Sequence, residues 1–186
     1  MQPLDISSIN QLAESLILEA ESMFGPRIGD WNFLGVEINE RGPCLMYYSE
    51  GDVTISLSTK VLQDEVQLVF QLAHEACHVL HPSQEYPSFT KHETTNLNEG
   101  ISTYFSVYQL NKTGNAKTAI QSLMSSSINY YRAYEVINGL LQKDVLAIKK
   151  IRSIQPRIDK VTSENLVASG VTISALESDF LLKKFE

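Results

Sequence analysis

The stretch "VLQDEVQLVFQLAHEACHVLHP", Val61 to Pro82, decides how this chain is read. At about 100° per residue, Leu62, Val66, Val69, Ala73, Cys77 and Leu80 fall on one stripe, with Phe70 and Ala76 at its margins. The spacing predicts a helix from Leu62 to Leu80, stopped by Pro82, with that stripe as its buried face. His74 and His78 are one turn apart on a line beside the stripe. Their rings can therefore converge on one cation at about 2.0–2.1 Å each, the reach of imidazole to zinc. Glu75 leans over the same point from the side, where a carboxylate can take a proton from a water activated by the metal. Three readings are open: a zinc-dependent active site, a structural metal clamp, or an ordinary amphipathic helix. A further protein ligand decides among them.

Two nearer histidines compete for that role. His81 lies close in helical phase but about 10 Å along the axis from His74, and it precedes Pro82, which draws it out of helical geometry. It suits a rim position rather than direct ligation. His92 falls in the loop "HPSQEYPSFTKHETT", where a solvated histidine is the ordinary outcome. Glu99 is the better candidate. It sits in "NLNEGISTYFSVY", 21 positions after His78 (99 minus 78), on a helix that can fold back antiparallel to the first. That helix has its own apolar face in Leu97, Ile101, Phe105 and Tyr108, which leaves Glu99, Ser102, Thr103 and Ser106 elsewhere. Alone, Glu99 would read as a first-turn glutamate balancing the helix dipole. Beside His-Glu-x-x-His, ligation is the stronger reading. Cys77 falls on the buried stripe and reads as a small packing residue.

Working outward, the apolar residues Ile6, Ile9, Leu12, Leu16, Ile17 and Ala20 predict a helix from Asp5 to about Phe24, closed by Gly25-Pro26. "WNFLGVEI", "PCLMYY" and "DVTISLST" alternate or carry β-branched residues between turn-like "NERG" and "SEGD", and predict a small antiparallel meander. In the last of them Val53, Ile55 and Leu57 share one face. Further helices are expected at Asn96 to about Leu110, Ala116 to Leu141, Asp144 to Ile154, and in two short pieces, "SENLVASG" and "TISALESDFLLKKF". No repeat or long linker divides the chain, so the expectation is one α+β domain over 1–186, a small N-terminal sheet packed on a mostly helical body.

"HEACH" followed by "LNEG" on a second helix resembles the gluzincins, zinc peptidases with a glutamate as third ligand, and "LNEGISTYFS" is especially similar to the glutamate helix of their aminopeptidase branch. The similarity runs from about Val53 to Tyr108. It implies a minimal, single-domain zincin-like fold with Zn2+ on His74, His78 and Glu99, Glu75 as general base, and a peptide or protein as substrate. It also implies that "DVTISLST" is the edge strand lining the cleft, on which extended peptide pairs. The chain departs from that branch in three ways. The segment between His78 and Glu99 is slightly longer, the Gly-x-Met-Glu-Asn element that anchors a free amino terminus is missing, and Thr103 stands where some gluzincins orient a histidine with aspartate. A tyrosine is a natural donor to the developing oxyanion, and Tyr104, Tyr108, Tyr130, Tyr131 and Tyr134 are the candidates. A zinc-binding gluzincin-like protein with a regulatory or partner-binding role and little general proteolysis is the alternative.

Composition bounds the rest. With 15 Lys+Arg against 22 Asp+Glu, the net charge of −7 argues against nucleic acid, which needs a basic face. "MQPLDISSINQLAESL" lacks the basic and apolar blocks of a secretory leader, and no apolar run reaches the length of a membrane span. Two cysteines, Cys44 and Cys77, make no disulfide framework, so a cytoplasmic protein with reduced thiols is expected. Oligomeric state is not legible.

Overall fold

Apolar spacing is realised as eight α-helices around a small sheet in the computed structural model, which describes residues 5–29 and 31–186. The first four residues, part of the stretch read above for a leader, lie outside the described residues. Helix α1, Ile6–Phe24, starts where the Asp5 side chain accepts the Ser7 amide, and its buried face is Ile9, Ala13, Leu16, Ile17, Ala20 and Phe24. Strands β1 (Asn32–Asn39), β2 (Cys44–Tyr47) and β3 (Asp52–Ser58) follow.

The sheet is mixed, and this corrects the expected antiparallel meander. Its order is β1-β3-β2, with β3 antiparallel to β2 and parallel to β1. The cause is burial. Val53, Ile55 and Leu57 are all fully buried, so β3 takes the centre, while the half-exposed β2 is left at an edge. The outer side of β1 is held by α1, where the Val36 amide donates to Asn10 Oδ1 at 2.7 Å beside the bulge at Gly35. A Cβ at Gly35 would stand 2.9 Å from that same oxygen, so only glycine lets the two come together. The free edge is therefore β2, not β3.

A 3-10 turn, Thr59–Leu62, leads into α2, Glu65–His78, whose N-cap Asp64 accepts the Gln67 amide. Leu62 lies outside that helix and is 47% exposed, and Val66 and Val69 are half-buried. Leu68 and Leu72 set the real core line, together with Ala73, Cys77 and Leu80 as expected. From Gln71 to Cys77 every residue is buried, because the C-terminal half of α2 is enclosed by the sheet, α1 and α3. Helix α3, Asn96–Lys112, buries Leu97, Ile101 and Phe105 as expected, but Tyr108 is 37% exposed. Where one long helix was expected, there are two, α4 (Ala116–Ser126) and α5 (Ile128–Lys143), broken at Ser127 with φ −149° and ψ 57°. Helices α6 (Ala147–Ile154), α7 (Ser163–Ala168) and α8 (Ala175–Leu181) close the core.

Arg152 on α6 is 5% exposed and donates to the carbonyl oxygens of Phe24, Gly25, Pro26, Leu80 and Pro156. One guanidinium thus satisfies the orphan carbonyls at the ends of both α1 and α2. No helix among the described residues is long and apolar enough to cross a membrane.

Candidate metal centre

Helix α3 runs opposite to α2. Asn98 approaches His81, Ser102 meets His78, and Ser106 Oγ donates to the Phe70 carbonyl. The antiparallel return expected for Glu99 is therefore the one adopted. Local sequence also frees that carboxylate. Thr95 and Asn98 form a reciprocal capping box that satisfies the start of α3, so Glu99 is not needed there. Gly100 lets α3 press against α5, since a Cβ there would stand 2.7 Å from Ile137 Cγ1 and 2.8 Å from the Ala133 carbonyl oxygen.

Three side-chain atoms converge. His74 Nε2 lies 3.1 Å from Glu99 Oε2 and 3.1 Å from His78 Nε2, and His78 Nε2 lies 3.5 Å from Glu99 Oε2. Zinc held tetrahedrally with bonds near 2.05 Å would separate any two ligand atoms by about 3.3 Å. The observed triangle of 3.1, 3.1 and 3.5 Å brackets that edge. Two imidazole nitrogens and a carboxylate oxygen directed at one point form a donor set suited to a divalent transition metal such as zinc, and His74, His78 and Glu99 together could hold such an ion. Ser102 Oγ, 3.4 Å from His78 Nδ1, orients that ring. Thr103 does not take the orienting role considered for it, because its buried hydroxyl has no hydrogen-bond partner among the described residues. His74 Nδ1 is likewise unpaired there. Helical spacing leaves Ser102 off the apolar face, and its position one turn after Glu99 is the signal that points it to the same site.

Electrostatics divide the two carboxyls. Burial pushes Glu75 upward, and the charges of His78 and His74 do not cancel that rise. Burial also opposes ionisation of Glu99, but the His78 charge and the hydrogen bonds from both histidines outweigh it and hold this carboxyl far below the usual range. The two environments thus push the carboxyls in opposite directions, Glu99 towards its charged form and Glu75 towards its protonated one. Burial lowers His78, yet Glu99 beside it raises the ring above its ordinary value.

The remaining candidates fall into place around this centre. His81 is 2% exposed and held neutral by burial and by the charges of Arg152 and His78; its nearest polar neighbour is Asn98, so it packs and does not ligate. His92 pairs with Glu85 at 3.1 Å and lies along the cleft wall, away from the triad. Cys77 is fully buried, and burial raises its thiol to about 12. Of the five tyrosines, Tyr130 lines the cleft, with its ring 5.7 Å from that of His74. Tyr131 donates instead to Glu135, Tyr134 is buried in a satellite cluster, and Tyr104 stacks between Tyr108 and Tyr134.

The centre opens into a cleft of about 630 Å³, bounded by β2 through Cys44, Leu45 and Tyr47, by the loop after α2, and by Tyr130. A smaller recess of about 210 Å³, shared by His74, Glu75 and Tyr130, continues towards Phe70 and Leu123. Compared with known proteins, the chain matches no family model, no curated protein and no solved structure.

Proposed function

We propose that this chain is a zinc-dependent metallopeptidase, a minimal gluzincin-like enzyme that hydrolyses peptide bonds with Glu75 as general base. One observation carries the reading: a tetrahedrally spaced His74–His78–Glu99 triangle has a raised, buried carboxyl beside it and faces an open cleft. His74, His78 and Glu99 would hold a zinc ion there, which would supply a Lewis acid and lower the pKa of water beside it towards about 7. Glu75, whose carboxyl is raised by burial, would accept a proton as the peptide carbonyl is hydrated and would return it to the leaving nitrogen. Tyr130, the candidate tyrosine that lines the cleft, would be the donor to the developing oxyanion, and burial keeps its hydroxyl protonated as that role requires. The substrate lies along the free edge of β2 as an added strand, its main chain paired with the edge and its side chains turned alternately into the cleft.

The test is a peptide-library cleavage assay on zinc-loaded wild type and Glu75→Gln. Wild type should cleave, and the variant should retain one zinc per chain while its turnover falls about 10²–10⁴-fold. Undiminished turnover in Glu75→Gln would remove Glu75 from the mechanism. Zinc bound at one per chain with no cleavage by wild type would favour the partner-binding alternative.

A further inference from the structure

Segment 183–186 stands between the two halves of the site. The Phe185 amide donates to the Thr94 carbonyl at 2.9 Å, the Asn96 amide donates to the Lys183 carbonyl at 2.9 Å, and Thr95 and Lys184 form an antiparallel bridge. The segment is thus paired to the turn that launches α3 and Glu99. On its other side the Phe185 ring lies 4.5 Å from the Tyr130 ring at 56°, and Asn129 Nδ2 donates to the Glu186 backbone oxygen at 2.8 Å. Tyr130 needs such support. It belongs to the first turn of α5, whose Ser127 N-cap offers no side-chain hydrogen bond, and an uncapped first turn is the part of a helix that frays. The His74 ring bounds Tyr130 on one flank and the Phe185 ring bounds it on another.

We propose that Phe185 is a positioning residue, which fixes the Tyr130 ring beside His74, and with it the hydroxyl, by tying that ring to the turn that carries Glu99. The kinetic part of this inference rests on the peptidase reading above; the placement of Tyr130 does not. A tilted contact between aromatic rings at this distance contributes enough to change the population of a correctly placed Tyr130 about 2- to 10-fold. In the full-length, zinc-loaded protein, Phe185→Ala should therefore lower kcat by about that factor with KM unchanged, and Phe185→Tyr, which keeps a ring, should restore it. In a Tyr130→Phe background, Phe185→Ala should cause no further fall in kcat, because the hydroxyl it positions is gone. A loss of equal size in both backgrounds would overturn the assignment. A second readout needs no turnover: 3-fluorotyrosine at position 130, followed by fluorine NMR, should give one sharp line in the parent and a shifted or broadened line in Phe185→Ala. An unchanged line would overturn the clamp whatever the kinetics. Absence of cleavage by every form, parent included, would instead sink the peptidase reading, and the fluorine line would still decide the clamp.

Discussion

Replacing Gly100 by alanine isolates the closest approach behind the metal centre. In an ordinary helix interior the change stabilises by about 1 kcal/mol, because alanine loses less backbone freedom on folding. Here the new Cβ would meet the Ala133 carbonyl oxygen at 2.8 Å and Ile137 Cγ1 at 2.7 Å, where ordinary contact begins at 3.4 Å. Ile137 can rotate aside. The carbonyl belongs to the α5 backbone and cannot, so α5 must retreat from α3 by roughly 0.6 Å, the shortfall between 2.8 and 3.4 Å. Overpacking against backbone costs about 1–3 kcal/mol, and a rigid neighbour puts this case near the upper end. Net destabilisation of about 2 kcal/mol follows, a fall in Tm of about 4–8 °C for a chain of this length. Gly139 supplies the control, since it lies within α5 and a Cβ there would meet nothing within 4 Å. Gly139→Ala should raise Tm by a few degrees. Thermal unfolding followed by circular dichroism on both variants reads the difference, and a Gly100→Ala protein as stable as its Gly139→Ala counterpart would refute the packing argument.

Two further outcomes are expected. Ser102→Ala removes the hydroxyl beside His78 Nδ1; zinc affinity measured by competition with a chromophoric chelator should fall about 10-fold, the low end for orienting groups because the contact is 3.4 Å long. Affinity equal to wild type would show that the hydroxyl does not orient the ring. Glu75 works as a base only when deprotonated, and burial raises its carboxyl, so activity is present above the folded pKa and lost as pH falls through it. The acid limb of kcat/KM should therefore lie above about 4.3, the ordinary glutamate value, and a profile flat down to pH 4 would contradict the assignment.

Much of the centre was legible because its signals are local. A four-residue spacing fixes His74 and His78 on one helical line, and an apolar stripe through Leu97, Ile101 and Phe105 leaves Glu99 off that stripe, where it is buried against the histidines. Other features depend on long-range competition. Periodicity marks three strands but not their order, which follows from β3 outcompeting its neighbours for the buried centre. The break at Ser127 carries no glycine or proline, so helical spacing reads through it. Along α2 the helical spacing of Leu62, Val66 and Val69 competes with that of Leu68 and Leu72, and packing buries the second line. Nothing near Phe185 in the chain announces Tyr130, because the two meet only after α8 has packed against α3 and α5.

Arg152 bears on the order in which the molecule is made. A growing chain that has emerged as far as α3 already contains His74, Glu75, His78 and Glu99. It still lacks the guanidinium that fastens the Leu80 carbonyl, just past the histidines, to the end of α1, and it lacks α5, against which Gly100 seats the glutamate helix. The residues of the candidate centre are thus synthesised early and brought to their final spacing late. On the proposed reading, a nascent chain would gather metal loosely and tight capture would wait for its second half, so the residues that complete the fold would also time when the centre becomes competent.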